Sequence, residues 1–165
     1  MLGIGLLIAA SALLSGCYAE SGNEGASAGG GDACAGFVFG GFTGTPTTNA
    51  DWDYIQANLF AGRGQCTQCH TGTTGAGPSN MVLESNQYDT IVTNHLLSGY
   101  TSSGLALIEP GSKSCSFLYI KISTSDDVLV ADGFGSRMPL GKTPLVSADI
   151  DLIGTWIDEG ARQSP

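Results

Sequence analysis

The stretch Cys66-Thr67-Gln68-Cys69-His70 (CTQCH) decides how this chain of 165 residues is interpreted. The pattern C-x-x-C-H is the attachment motif of c-type haem. Two thiols three residues apart on one helical turn can form thioethers with the two vinyl groups of a haem, and the imidazole that follows can then bind the iron. The motif predicts one covalent haem c, attached through Cys66 and Cys69, with His70 as an iron ligand.

Two other chemistries also use closely spaced cysteines. A redox disulfide of the thioredoxin type is expected beside a βαβ pattern, which the sequence lacks. A zinc site needs four ligands, and only His95, Cys34, Cys115 or carboxylates are left to complete it. Haem is therefore the preferred interpretation of the motif.

Met138 is the favoured second iron ligand, in the segment Ser136-Arg137-Met138-Pro139-Leu140-Gly141. A thioether is a soft ligand that raises the reduction potential, and ligation by His and Met is the cytochrome c pattern. His95 is the competitor, but it shares an apolar stripe with other residues and is expected to pack. Met81 is expected to pack on the porphyrin.

Two further groups are predicted around the iron. Histidine ligands usually donate their other ring nitrogen to an acceptor, and a backbone carbonyl in Gly75-Ala76-Gly77-Pro78 is the expected acceptor for His70. Arg137 is predicted either to pair with a haem propionate or to be exposed.

Four helical stretches and no run of alternating strand residues predict an all-α domain. The first covers about 51–61, with Asp51 or Asp53 at its positive end, and the second is capped by Ser85. The third follows Pro110-Gly111, and the fourth runs from a Ser147 cap to Glu159 and ends at Gly160. The residues expected to face inward are Tyr54, Ile55, Asn58 and Leu59 in the first stretch; Tyr88, Ile91, Val92, His95 and Leu96 in the second; Cys115, Leu118, Tyr119 and Ile122 in the third; and Ile150, Ile153 and Ile157 in the fourth.

From Trp52 to Arg162 the chain resembles a class I c-type cytochrome, in particular the small single-haem domains of planctomycete and myxobacterial proteins. The matching stretches are Tyr54-Ile55 to Leu59-Phe60 before CTQCH, Pro110-Gly111 before Ser116 to Lys121, Arg137 to Gly141, and Ile150 to Ala161. The resemblance implies about four helices around one haem, with the first and last helices crossing beside it. It also implies that Cys66, Cys69, His70 and Met138 hold the haem and its iron.

The N-terminal region predicts export and attachment to a membrane. The apolar run from Leu2 to Leu14 is too short to span a bilayer, and Leu14-Ser15-Gly16-Cys17 resembles the lipobox of bacterial lipoproteins. We therefore expect a signal peptide at 1–16, a lipid anchor on Cys17, a flexible tether at 17–33 and a cytochrome c-like domain at 34–165. The alternative is a plain secretory leader. Tyr18 after the cysteine favours the outer membrane, on its periplasmic or cell-surface side.

Cys34 and Cys115 are the cysteines left over from these assignments. In an oxidising compartment an even remainder suggests a disulfide, and two buried thiols are the alternative.

Charge and motifs restrict the function further. The net charge of −9 and the pI near 4.3 exclude nucleic acid, which needs clustered Lys and Arg. An acidic surface suits a basic redox partner or simply keeps the protein soluble. No paired carboxylates in a helical frame, no nucleophile elbow and no phosphate-binding loop stand out, so the sequence predicts an electron carrier and not an enzyme. The alternatives are a haem enzyme or ligand sensor with an open or labile sixth position, and a structural lipoprotein without haem.

Overall fold

The computed structural model describes residues 34, 37–72, 81–93 and 104–164. Several predictions fall outside these residues: the signal peptide at 1–16, the tether at 17–33 with Cys17, the loop from Gly75 to Pro78, and His95.

Within the described ranges the chain forms helices and no β-strand. The α-helices are α1 (Trp52–Ile55), α2 (Phe117–Ser123), α3 (Asp126–Ala131) and α4 (Ser147–Asp158). Gln56–Arg63 continues α1 with π-helical bonds, and Asp89–Thr93 is a second π-helical turn. Short 3₁₀ turns cover Cys66–Gln68, Ser85–Gln87 and Lys113–Cys115. This confirms the all-α prediction for the described part of the chain.

The first helix begins as predicted and buries part of the predicted face. The Asp51 carboxylate caps it by accepting the Tyr54 backbone N–H at 2.8 Å. Ile55 and Leu59 are fully buried, whereas Tyr54 is 44% exposed. The wider π-helical turn after Ile55 rotates later residues relative to an α-helix, so Phe60 faces inward.

The second and third predicted helices are shorter and less regular than expected. Ser85 lies inside a 3₁₀ turn and is not its cap, because Glu84 precedes that turn. Ile91 and Val92 are buried as predicted, and so is Leu118 in α2. The α3 helix, which lies between the third and fourth predicted helices, was not predicted.

The last helix matches its prediction apart from its cap. Ser147 is the first helical residue and Val146 is the N-cap, with no side-chain capping bond. Ile153 and Ile157 are fully buried. Gly160, with φ of +94°, ends the helix as predicted, because this left-handed backbone conformation favours glycine.

Two buried indoles join the first helix to the last. Trp52 and Trp156 are both 0% exposed, with ring centroids 6.2 Å apart. At the end of the π-helical segment, Arg63 forms a two-point ion pair with Asp149, with distances of 2.8 and 2.6 Å. This pair anchors the segment that enters CTQCH to the first turn of α4.

The N-terminal segment of the domain packs on the other end of α4. Cys34 and Cys115 form a disulfide with a Cα–Cα distance of 5.5 Å. The Phe39 ring lies so close to Gly111 that a Cβ on this glycine would overlap it. Thr47 donates from its backbone N–H and its hydroxyl to buried Glu159. None of the described helices has the length and apolar character needed to cross a membrane.

Candidate functional site

The CTQCH motif forms a single tight turn. The backbone N–H groups of Cys69 and His70 both donate to the Cys66 carbonyl, at 3.1 and 2.8 Å. The turn is entered through Gln65, which has a left-handed φ of 52°. The two cysteines and the histidine therefore lie on one turn, as the motif requires.

Neither motif cysteine takes part in a disulfide. Cys66 is half-buried against the hydrophobic core, and Cys69 is exposed. Burial raises the pKa of Cys66 to about 11. A redox-active CxxC depends on a lowered thiol pKa, so the environment of Cys66 disfavours the thioredoxin-type interpretation.

Gly64 allows the backbone to pass close to the motif. A Cβ at this position would lie 2.6 Å from the Leu59 carbonyl oxygen and 3.1 Å from Cys66 Sγ. A larger residue at position 64 would therefore push the helix end away from Cys66.

His70 is held by the segment that begins at Met81. The His70 Nδ1 atom lies 3.3 Å from the Met81 carbonyl oxygen, and the Leu83 N–H donates to the His70 carbonyl at 2.9 Å. A carbonyl only accepts, so Nδ1 carries the proton and Nε2 keeps its lone pair. Among the described residues the acceptor for His70 is thus Met81, whose side chain is half-buried against the core.

The protonation state of His70 suits a metal ligand. Burial lowers the pKa of its imidazole, and the hydrogen bond to Met81 offsets part of that effect. The ring is therefore neutral at neutral pH, and a neutral imidazole is the form that binds a metal.

Met138 lies in a loop that is anchored against the motif. The Met138 side chain packs on the edge of the same hydrophobic core as Cys66 and Met81. Four residues further on, the Lys142 ammonium donates to the side-chain carbonyls of Gln65 and Gln68, at 2.6 Å each. The structure thus brings the loop that contains Met138 to the CTQCH turn.

Arg137 has a partner that the sequence did not suggest. Its Nε and Nη2 atoms donate to the Ile122 carbonyl, at 3.0 and 2.7 Å. The guanidinium is therefore half-buried at the end of α2 and is not exposed.

Lys121 was missed at the level of sequence. It is only 6% exposed, and its ammonium donates to the carbonyls of Phe134 and Ser136. Burial lowers the pKa of its side chain, and Asp126 offsets part of that effect. The available signal was a single lysine within the otherwise apolar stretch of α2.

The donor set fits a covalent haem. Two thiols outside any disulfide, a neutral imidazole whose Nε2 keeps its lone pair and a thioether are the groups that attach haem c and bind its iron. Cys34 and Cys115 are bonded to each other, so they cannot serve as zinc thiolates. In the part of the chain that the structure describes, no group of three or more His, Cys, Asp or Glu side chains could hold a metal ion.

Comparison of the chain with protein-family models, with curated proteins and with solved structures gives no match.

Proposed function

We propose that this protein is an electron carrier with one covalent haem c. Cys66 and Cys69 attach the haem, and His70 and Met138 bind its iron. The observation that carries the proposal is the turn at CTQCH, in which the Met81 carbonyl fixes the His70 ring so that Nε2 keeps its lone pair.

The ligand set favours electron transfer over catalysis. When bound, the haem would supply a one-electron redox centre, and His70 and Met138 together would hold its iron. Two protein ligands on the iron would leave no open position for a substrate. The soft Met138 thioether favours the reduced iron and therefore raises the reduction potential.

The loop around Met138 supports its assignment as a ligand. Its position is restrained on one side by a hydrogen bond from its own N–H to the Lys121 carbonyl, at 2.8 Å. On the other side Lys142 binds two glutamines of the motif region. A methionine that served only to fill space in the core would not need either restraint.

The proposed setting is an exported protein on the outer membrane. The lipobox-like Leu14-Ser15-Gly16-Cys17 supports a lipid anchor on Cys17, with the domain on the periplasmic or the cell-surface side. The partners we propose are redox proteins, which the net charge of −9 would attract through basic surfaces.

The test is expression of the chain together with a bacterial haem-attachment system. We expect a covalent haem stain and, in the oxidised protein, the weak far-red absorption band of methionine-ligated iron. Met138→Ala is expected to abolish the band and lower the reduction potential. Met81→Leu is the matched control, because it changes the other described core-edge methionine, keeps the Met81 backbone carbonyl, and is expected to retain the band.

Two results would contradict the proposal. A resting high-spin haem that binds cyanide or carbon monoxide without displacing a ligand would indicate the haem enzyme or ligand sensor instead. Absence of covalent haem in a folded, exported protein would indicate a structural lipoprotein.

A further inference from the structure

The last turn of α2 has carbonyl groups that its own helix cannot satisfy. The final carbonyls of any α-helix lack intrahelical donors. Here the Lys121 carbonyl accepts the Met138 N–H at 2.8 Å, and the Ile122 carbonyl accepts the Arg137 side chain. The segment around Met138 thus completes the hydrogen bonding of the end of α2.

The Lys121 side chain binds the same loop a second time. Its ammonium donates to the carbonyls of Phe134 and Ser136, which lie two residues apart and just before Met138. Lys121 therefore holds the loop at three points: its carbonyl accepts the Met138 N–H, and its ammonium donates to two loop carbonyls.

Burial of this lysine is costly unless its charge is compensated. Phe117, Leu118, Ile120 and Ile122, the other buried residues of α2, are apolar. An apolar side chain at position 121 would satisfy the packing of the helix. The charge of the ammonium is compensated by the two loop carbonyls that it brings together and by the Asp126 carboxylate.

We propose that Lys121 is a positioning residue that holds Met138 in place as the sixth ligand of the iron. The inference rests on the proposed haem function. Lys121 fixes the segment before the methionine, and Lys142 fixes the segment after it on the CTQCH turn. The methionine therefore stays at the iron because the loop cannot withdraw, and not because a thioether binds tightly.

The test uses the haem-loaded protein and the variant Lys121→Met, which keeps the length and apolar stem of the side chain. We expect it to weaken the far-red band and to tighten the apparent binding of imidazole to the oxidised iron about tenfold, which corresponds to 1.4 kcal/mol. We also expect faster hydrogen exchange at the Met138 amide, a readout that does not depend on the iron.

Ser116→Ala is the matched control for a general loss of helix stability. Ser116 is fully buried at the opposite end of α2, where its hydroxyl binds the Glu109 N–H at 2.8 Å and the Ser112 carbonyl at 2.9 Å. This variant is expected to lower stability and to leave the band, the imidazole affinity and the Met138 exchange rate unchanged.

The outcomes separate the two proposals. If Lys121→Met keeps the parental band and imidazole affinity while Met138→Ala loses the band, the role of Lys121 is refuted and the function stands. If Met138→Ala keeps the band, the methionine ligation itself is refuted, and the role of Lys121 with it. Should Lys121→Met not fold, Lys121→Gln replaces it, and unchanged spectra and exchange in that variant also overturn the inference.

Discussion

Removal of the Cys34–Cys115 disulfide is predicted to cost a large part of the stability of this domain. The bridge joins residues 81 positions apart. In the chain-entropy model, closing a loop of that length restricts the unfolded chain by about 4.5 kcal/mol at 25 °C. Most small domains are stable by only about 5–15 kcal/mol. The double variant Cys34→Ala/Cys115→Ala should therefore be close to unfolding at elevated temperature.

The assay is urea-induced unfolding followed by far-UV circular dichroism. Relative to the parent, the double variant should lose about 4 kcal/mol of unfolding free energy. Its m value should rise, because an unfolded chain without the cross-link exposes more surface. Reduction of the bridge in the parent should reproduce most of the loss. This comparison removes the contribution of the smaller alanine side chain at Cys115, which is only 7% exposed.

Ser114→Ala is the control for a substitution near the bridge. Ser114 is exposed, and its hydroxyl bonds to the Ser112 hydroxyl. The expected change in unfolding free energy is therefore within about 0.5 kcal/mol. A double variant that loses less than about 1 kcal/mol, with an unchanged m value, would refute the reasoning. The N-terminal segment would then be held by its noncovalent contacts alone.

Two further predictions concern the same end of α4. Gly111→Ala should lower the unfolding free energy by about 2–4 kcal/mol in urea titrations, because its φ of +83° is strained for alanine and its Cβ would meet Phe39. Gly133 has a similar φ of +76° but open space around it, so Gly133→Ala should lose only the unfolding free energy that comes from backbone strain. Equal losses of unfolding free energy in the two variants would contradict the contribution of Phe39. For Glu159, burial raises the carboxyl pKa, but hydrogen bonds from Thr47 lower it more, so the net shift is below the ordinary 4.5. A carboxyl group whose pKa is lowered on folding stabilises the fold at pH values above its ordinary pKa. This stabilisation is lost as the pH falls through the lowered pKa. The unfolding free energy of the parent, from urea titrations at several pH values, should therefore fall below about pH 4.5, and Glu159→Gln should reduce this fall. A variant with the same pH profile as the parent would contradict the role of Glu159.

Local features were well predicted from the sequence. The turn at CTQCH depends on residues within one turn of each other, and the structure has it. Asp51 caps the first helix and Gly160 ends the last, because each acts on backbone groups only a few residues away. The inward positions of Ile153 and Ile157 followed from helical periodicity.

Features that depend on distant contacts were missed. The first helix changes to π-helical bonds after Ile55, and periodicity assumes a constant turn, so the inward position of Phe60 was missed. Tyr54 lies in the α-helical turn before that change and was placed inward, but it is 44% exposed. Ser147 was expected as the N-cap, which would make position 148 the first helical residue. Instead, Ser147 is itself the first helical residue. The buried position of Lys121 could not be read from α2 alone. The carbonyls that its ammonium binds, those of Phe134 and Ser136, lie beyond α3 in the loop before Met138.

The sequence by itself determined which chemical groups are present and how they are spaced: two thiols and an imidazole on one turn, a methionine in a Pro/Gly segment, and helices between them. It favoured a bridge between Cys34 and Cys115 without settling it, and it did not point to Met81 as the acceptor for His70. The tertiary structure decided both, together with the position of the methionine loop on the motif. The physical reason is that spacing along a chain controls contacts within a turn, whereas contacts between segments depend on how the core packs them together.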